Sequence, residues 1–325
     1  MLSFLGIALG IALLIAGGAL LVRGACQIAS RLGVTPMVIG LTIVGFGTSA
    51  PELVVNVVGS LDGQTGLAFG NVVGSNISNL SLVLGAAALF RAMTIQGSLV
   101  LREVPLLLLA TTSMMVMALD GVLDGTAAVL SRSDALVLLL LFGIFLYITV
   151  LDFLRSPTRD SLLDSIEDSP LVVAPAPGRF AWLQVVAGLV LLFIGGETTI
   201  GSALSLAAQL GIAPTVVGLF VVAVGTSMPE LVTSVVAALR GESDLALGNV
   251  VGSNLFNSLL VLPSSAVIAP ISIPASALLD LGLSWLLAAL LIPLFLLGRA
   301  RLGRVVGALL LLGYAAYAAI RITLA

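Results

Sequence analysis

Residues 33–60 read GVTPMVIGLTIVGFGTSAPELVVNVVGS, and the pattern returns at 211–238 as GIAPTVVGLFVVAVGTSMPELVTSVVAA. A second pair keeps the same offset of 178: GLAFGNVVGSNISN at 66–79 and DLALGNVVGSNLFN at 244–257. From Gly40 to Asn79 against Gly218 to Asn257 no gap is needed and 24 of 40 positions are identical, which chance apolar composition does not produce. The chain is therefore an internal duplication. Each copy carries a proline and a carboxylate side by side in an apolar stretch, Pro51 with Glu52 and Pro229 with Glu230. In hydrocarbon a glutamate costs several kcal/mol and a proline removes a helix hydrogen bond, so residues of this kind kept at membrane depth are read as functional.

The surroundings do point to a membrane. Of 325 residues, 59% are hydrophobic and 9% charged, with a mean hydropathy of +1.24; soluble domains carry about 25% charged residues. Apolar runs of the length needed to cross about 30 Å of hydrocarbon fall at 3–22, 36–60, 66–90, 99–119, 135–152, 181–206, 214–239, 245–268, 275–297 and 304–323. The reading is an all-α polytopic membrane protein with ten transmembrane helices. No basic residue precedes the first run, so it lacks the charged segment of a cleavable signal and reads as a retained helix.

All 13 basic residues are arginines. With the N-terminus outside, eleven fall on the inner side and only Arg132 and Arg321 outside, so the positive-inside rule sets both termini outside and the linker 153–180 in the cytoplasm. A prokaryotic inner or plasma membrane fits the lysine-free, short-looped composition. The division is 1–152, a first five-helix repeat; 153–180, an acidic connector; and 181–325, a second repeat. Cys26, a single thiol, reads as a packing residue, and Glu197 as a lining or interface residue because its counterpart is Ala19.

Five spans separate each helix from its copy, so matching helices cross in opposite directions. Such inverted-topology repeats are used by many secondary transporters, with the substrate site near the midplane. Helices 2, 3, 7 and 8, which carry the repeats, are expected to be broken. Pro51 leaves the carbonyl of Gly47 without its helical donor and Pro229 does the same to Gly225; freed carbonyls at this depth are tolerated only beside a polar cavity or ligand. Thr48 with Glu52, Thr226 with Glu230, Ser75 with Asn79 and Ser253 with Asn257 are each four apart, on one helix face, and Ser49 and Ser227 lie between. Carboxylate, amide, hydroxyl and carbonyl oxygens are the ligands of hard cations such as Ca²⁺. The chain has no histidine, which excludes an imidazole-rich transition-metal site. Two carboxylates match one divalent ion, and Na⁺ or protons can replace it, which gives exchange a physical basis.

At these residues the sequence resembles the calcium/cation antiporter superfamily, sodium/calcium exchanger group: GTSAPE and GNVVGSNISN in one half, GTSMPE and GNVVGSNLFN in the other. The resemblance implies that Glu52 and Glu230 are shared Ca²⁺ and Na⁺ ligands, and that Thr48 and Thr226 give backbone carbonyls to Ca²⁺. It assigns Ser49, Ser75, Ser227 and Ser253, with the backbone of Gly45 and Ala223, to flanking Na⁺ positions. Asn79 and Asn257 would complete the centre, through water or as partners of the glutamates. The exchange would be electrogenic. Potassium-dependent relatives place an aspartate at one of the amide positions, and proton-coupled relatives a glutamate where Gly74 and Gly252 stand, so Na⁺ is favoured as the coupling ion, with H⁺ the alternative.

Other classes fit less well. An intramembrane hydrolase needs a nucleophile with a base, a metal or an aspartate dyad, and this chain offers none. A cation channel can use charged rings, but inverted repeats with broken helices favour a carrier. Asn71, Asn76, Asn249 and Asn254 are explained by interhelical hydrogen bonds beside Gly70, Gly74, Gly248 and Gly252. No cofactor, nucleic acid or obligate protein partner is expected beyond the transported ions and the bilayer.

Overall fold

The computed structural model describes residues 2–63, 65–94, 97, 99–119, 125, 128–155, 180–209, 227–273, 277–297 and 301–324. In chain order the helices are α1 (Leu2–Leu32), α2 (Pro36–Thr48), α3 (Ala50–Leu61), α4 (65–90), α5 (99–118), α6 (Arg132–Arg155), α7 (Ala181–Gln209), α8 (Met228–Arg240), α9 (Ser243–Ile268), α10 (Ala277–Leu297) and α11 (Arg304–Leu324). Among the described residues, eight helices are long and apolar enough to cross a membrane, nine if the bent pair α2 and α3 is one span. These correspond to nine of the ten apolar runs; the first half of the seventh, 214–226, lies outside the described residues.

The helix ends follow from local sequence. α1 contains no proline and closes on Gly33 at φ 65°, with Val34 N–H donating to Ala29 O at 3.0 Å, the bond of a left-handed glycine cap. α8 closes the same way: Gly241 sits at φ 88° and Glu242 N–H donates to Ala237 O at 2.9 Å. Arg91 donates to Leu239 O at the end of α8 (2.8 Å), and Arg132 to Val267 O and Ile268 O at the end of α9 (3.0 and 3.1 Å). These guanidinium groups satisfy terminal carbonyls and meet the negative end of each helix dipole.

The expected breaks in helices 3 and 8 take another form. α4 and α9 are continuous spans, each widened by a π-helical turn at Asn79–Val83 and Asn257–Val261. No proline lies in or just after the π turn of α4; in α9 Pro263 follows the turn and cannot donate to Leu259 O, yet the helix runs on, and both spans accommodate one extra residue in the turn instead of breaking. α4 and α9 are also the core, with 78% and 94% of their spans buried, against 11% for α11.

α1 and α7 pack closely and antiparallel through glycines seven apart. A Cβ on Gly17 would lie 2.9 Å from Gly188 O, and one on Gly188 2.9 Å from Gly17 O; Gly10 and Gly195 show the same reciprocal contact at 2.8 and 2.9 Å. Adding 178 to 10 and 17 gives 188 and 195, so each contact maps onto the other under the repeat. Only glycine permits backbones this close. The outer helices exchange partners across the halves: α11 packs on the end of α4, and α6 on the end of α9. Two short antiparallel pairs tie the connections, β1 (Met93–Thr94) with β4 (Arg301–Leu302) and β2 (Val129–Leu130) with β3 (Ile271–Ser272).

A candidate cation site at two equivalent helix starts

Ser49 ends α2 at φ −86°, ψ 2°, and Ser227 precedes α8 at φ −87°, ψ 8°. The same bridge-region conformation occurs at both copies because the same sequence follows: one residue, then a proline in the first helical turn, where its missing N–H costs nothing. The break bends α2 against α3 by 41°. Ser49 N–H still reaches Gly45 O and Leu53 N–H reaches Ser49 O, both at 3.1 Å, but Pro51 has no hydrogen to offer Gly47 O.

In both copies the glutamate stands in the first turn of the helix that follows the serine, α3 or α8, where the positive end of the dipole favours an anion. Glu52 and Glu230 are both 1% exposed. Two like charges removed from water are stable only with cations or protons between them. The halves meet at this point. Ser49 Oγ donates to Glu230 Oε1 at 3.3 Å. Thr48 Oγ1 donates to Asn249 Oδ1 at 3.1 Å and lies 3.3 Å from Ser253 Oγ. Asn249 Nδ2 donates to Ser234 Oγ at 2.9 Å and to Glu230 O at 3.4 Å. The π turn of Asn79 packs against α8, which carries Glu230, and that of Asn257 packs against α3, which carries Glu52.

The decisive feature is what these groups leave unpaired. Buried polar atoms are nearly always hydrogen-bonded, and each exception costs about 1–3 kcal/mol. Glu52 Oε2, Glu230 Oε2, Ser227 Oγ, Asn79 Oδ1 and Asn257 Oδ1 are all buried without a partner among the described residues. All five are oxygens, two of them carboxylate, and are of the kind that ligates a hard cation, which takes about 6–8 ligands. Among the described residues no group of three or more His, Cys, Asp or Glu side chains gathers, so the set relies on neutral oxygens for the rest.

Other residues singled out in the sequence divide. Ser75 and Ser253 are buried beside the cluster, but Ser253 Oγ donates to Gly45 O at 3.4 Å. Gly45 O, assigned to Na⁺ by the resemblance, is thus already shared by Ser49 N–H and the hydroxyls of Ser253 and Thr48. Thr226 and Ala223 lie outside the described residues, as does most of the linker. Asn76, Asn249 and Asn254 make the interhelical bonds expected of them, whereas Asn71 Nδ2 is buried without a partner among the described residues. Glu197 is exposed on α7. A cavity of about 600 Å³ lies between the α2–α3 break and α7; its wall includes Phe46, Thr48, Leu189, Phe193 and Pro229, and no carboxylate. It borders the site without being part of it.

Two charge groups carried no expectation from the sequence. Glu103 is fully buried and paired with Arg102, at the π turn that opens α5. Asp280 accepts Tyr317 Oη at 3.0 Å and pairs with Arg321 at 3.4 Å, joining α10 to α11. The adjacent Arg102 and Glu103 were a visible signal for the first. Asp280 and Arg321 lie in different helices, and only the fold brings them together.

Comparison with known proteins places the chain in a family. Residues 2–151 and 180–323 match the family described as sodium/calcium exchanger protein. The putative antiporter CaxA of Alkalimonas amylolytica is 38% identical over 311 residues, 95% of each chain. The sodium/calcium exchanger MaX1 of Methanosarcina acetivorans is 31% identical over 97% of each. A solved structure of the sodium-calcium exchanger NCX_Mj superposes with a TM-score of 0.82 at 29% identity, covering 98% of each chain.

Proposed function

Because the chain belongs to the sodium/calcium exchanger family, matched in both halves, and is an integral membrane protein of cation/Ca²⁺ antiport, we propose that it exchanges Na⁺ for Ca²⁺ by alternating access, electrogenically. The observation that carries this reading is the pair of buried glutamates at equivalent helix starts, each with a carboxylate oxygen that has no partner among the described residues. Glu52 and Glu230 hold the divalent ion. Thr48 and Thr226 add carbonyls, a role that suits Thr48 because its hydroxyl is already engaged. Ser49, Ser75, Ser227 and Ser253 supply the Na⁺ positions, and Asn79 and Asn257 the centre. Gly45 and Ala223 contribute backbone only if the bonds at Gly45 O open during the cycle.

Na⁺ is favoured over H⁺ because Gly74 and Gly252 stand where a proton-coupled site would need an acid. An empty, unpaired carboxylate pair is too costly to carry across the cycle, so either Ca²⁺ or its replacement ions accompany each change of access.

The reciprocal glycine contacts of α1 and α7 support two inverted halves. The two strand pairs support ten crossings: β1 with β4 and β2 with β3 each need an even number of spans between them. That parity is met when the seventh apolar run counts as one. Both termini then lie outside and the linker in the cytoplasm. Calcium uptake into Na⁺-loaded proteoliposomes, against K⁺-loaded vesicles and an imposed pH gradient, tests the reading. Dependence on outward Na⁺ and on membrane potential is expected; uptake that follows the pH gradient and ignores Na⁺ would move the protein to Ca²⁺/H⁺ exchange.

A further inference from the structure

The two central amides are held unequally. Asn79 Nδ2 donates to Asn254 Oδ1 at 3.0 Å, and Asn254 Nδ2 donates to the backbone carbonyl of Asn76 at 3.1 Å. Asn79 and Asn254 are fully buried. A backbone carbonyl can only accept, so only the NH₂ end of Asn254 can meet it. Asn254 therefore turns its oxygen toward Asn79, and that oxygen in turn can be met only by the NH₂ end of Asn79. Each orientation is dictated by the one before, beginning from an atom that cannot flip. The chain ends at Asn79 Oδ1, which has no partner among the described residues and sits on a π turn packed against α8. In the other half the equivalent link is absent: Asn257 Nδ2 and Asn76 Oδ1, the counterparts of the Asn79–Asn254 bond, are both without partners among the described residues.

Resting on the cation-site reading above, we infer that Asn254 is a positioning residue: it holds Asn79 with its oxygen, not its nitrogen, toward the transported cation. Without that acceptor the amide is free to present its NH₂ end, whose partial positive charge repels the ion. The effect is confined to the first half, because Asn257 has no such orienting partner among the described residues.

The test uses four full-length proteins: wild type, Asn254→Leu, Asn79→Asp and the double variant. Leucine has similar volume and no acceptor. Aspartate presents oxygen on both branches and needs no orienting. Radiolabelled Ca²⁺ binding is measured for each in detergent, with thermal unfolding in chelator to verify folding. Asn254→Leu is expected to weaken binding about tenfold alone, the lower end of what losing an outer partner costs a metal site, and less than about threefold in the Asn79→Asp background. Equal losses in both backgrounds would overturn the orienting role while leaving the site intact. Wild-type Ca²⁺ affinity in Asn79→Asp would instead overturn the place of Asn79 in the site. Asn254→Ala, with the same expected pattern, serves if leucine prevents folding.

Discussion

Replacing Glu52 by glutamine removes one buried negative charge at nearly constant volume, and Glu52 Oε2 has no partner among the described residues to lose. Its effect on Ca²⁺ can be worked from charge alone. A unit charge 4 Å from another is worth about 4 kcal/mol at an effective dielectric of about 20, and more for the double charge of Ca²⁺. At about 1.4 kcal/mol per factor of ten, the lower figure predicts roughly thousandfold weaker binding. Stability should move the other way in the absence of cations. Like charges removed from water are costly without cations between them, so the variant in chelator should unfold no earlier than wild type. At a Ca²⁺ concentration about 100 times the wild-type Kd, wild type gains about 2.7 kcal/mol from binding, and the variant should gain less than about 0.1 kcal/mol. Thermal unfolding with and without Ca²⁺, beside radiolabelled binding, reads all three quantities. Affinity within tenfold of wild type, with an undiminished Ca²⁺-induced shift, would mean that the Glu52 charge does not hold the ion.

Acidification should inhibit Ca²⁺ binding, since each proton taken by either glutamate removes charge that Ca²⁺ needs; binding unchanged down to about pH 5 would count against titrating carboxylate ligands. Asn257→Asp adds a third carboxylate at a side chain with no partner among the described residues and should change the ratio of Ca²⁺ to Na⁺ affinity, measured by competition; an unchanged ratio for every ion tested would remove Asn257 from the site. Gly188→Val places a Cβ about 2.6 Å from Leu21 N and should destabilise by about 1–3 kcal/mol through overpacking, whereas exposed Gly201→Ala meets open space and should be neutral. Equal melting of the two would argue against the close α1–α7 contact.

Much of this was legible because the duplication writes each element twice. Proline after a glycine-rich turn announces a break, and a glutamate beside it at membrane depth announces a use. Hydropathy was a poorer guide to extent: α1 runs to Leu32, well past the apolar run, because RGACQIASRL is polar enough to leave the hydrocarbon but still forms helix. The π turns at Asn79 and Asn257 had no signal of their own, since a widened turn needs no special residue. Likewise the serine that meets Glu230 is Ser49 from the opposite half, and no local pattern tells one half what the other will present. The glycines at 10, 17, 188 and 195 were in plain view as a heptad stripe, but their meaning depends on the antiparallel pairing.

If Glu52 and Glu230 hold one divalent cation between the starts of α3 and α8, anomalous scattering from crystals soaked in Sr²⁺, a Ca²⁺ surrogate, will locate it there. One strong peak is expected within ligand distance of both carboxylates, and it should vanish in Glu52→Gln. A peak that persists in that variant, or that lies away from both glutamates, would show that the two carboxylates are not the cation's anchor.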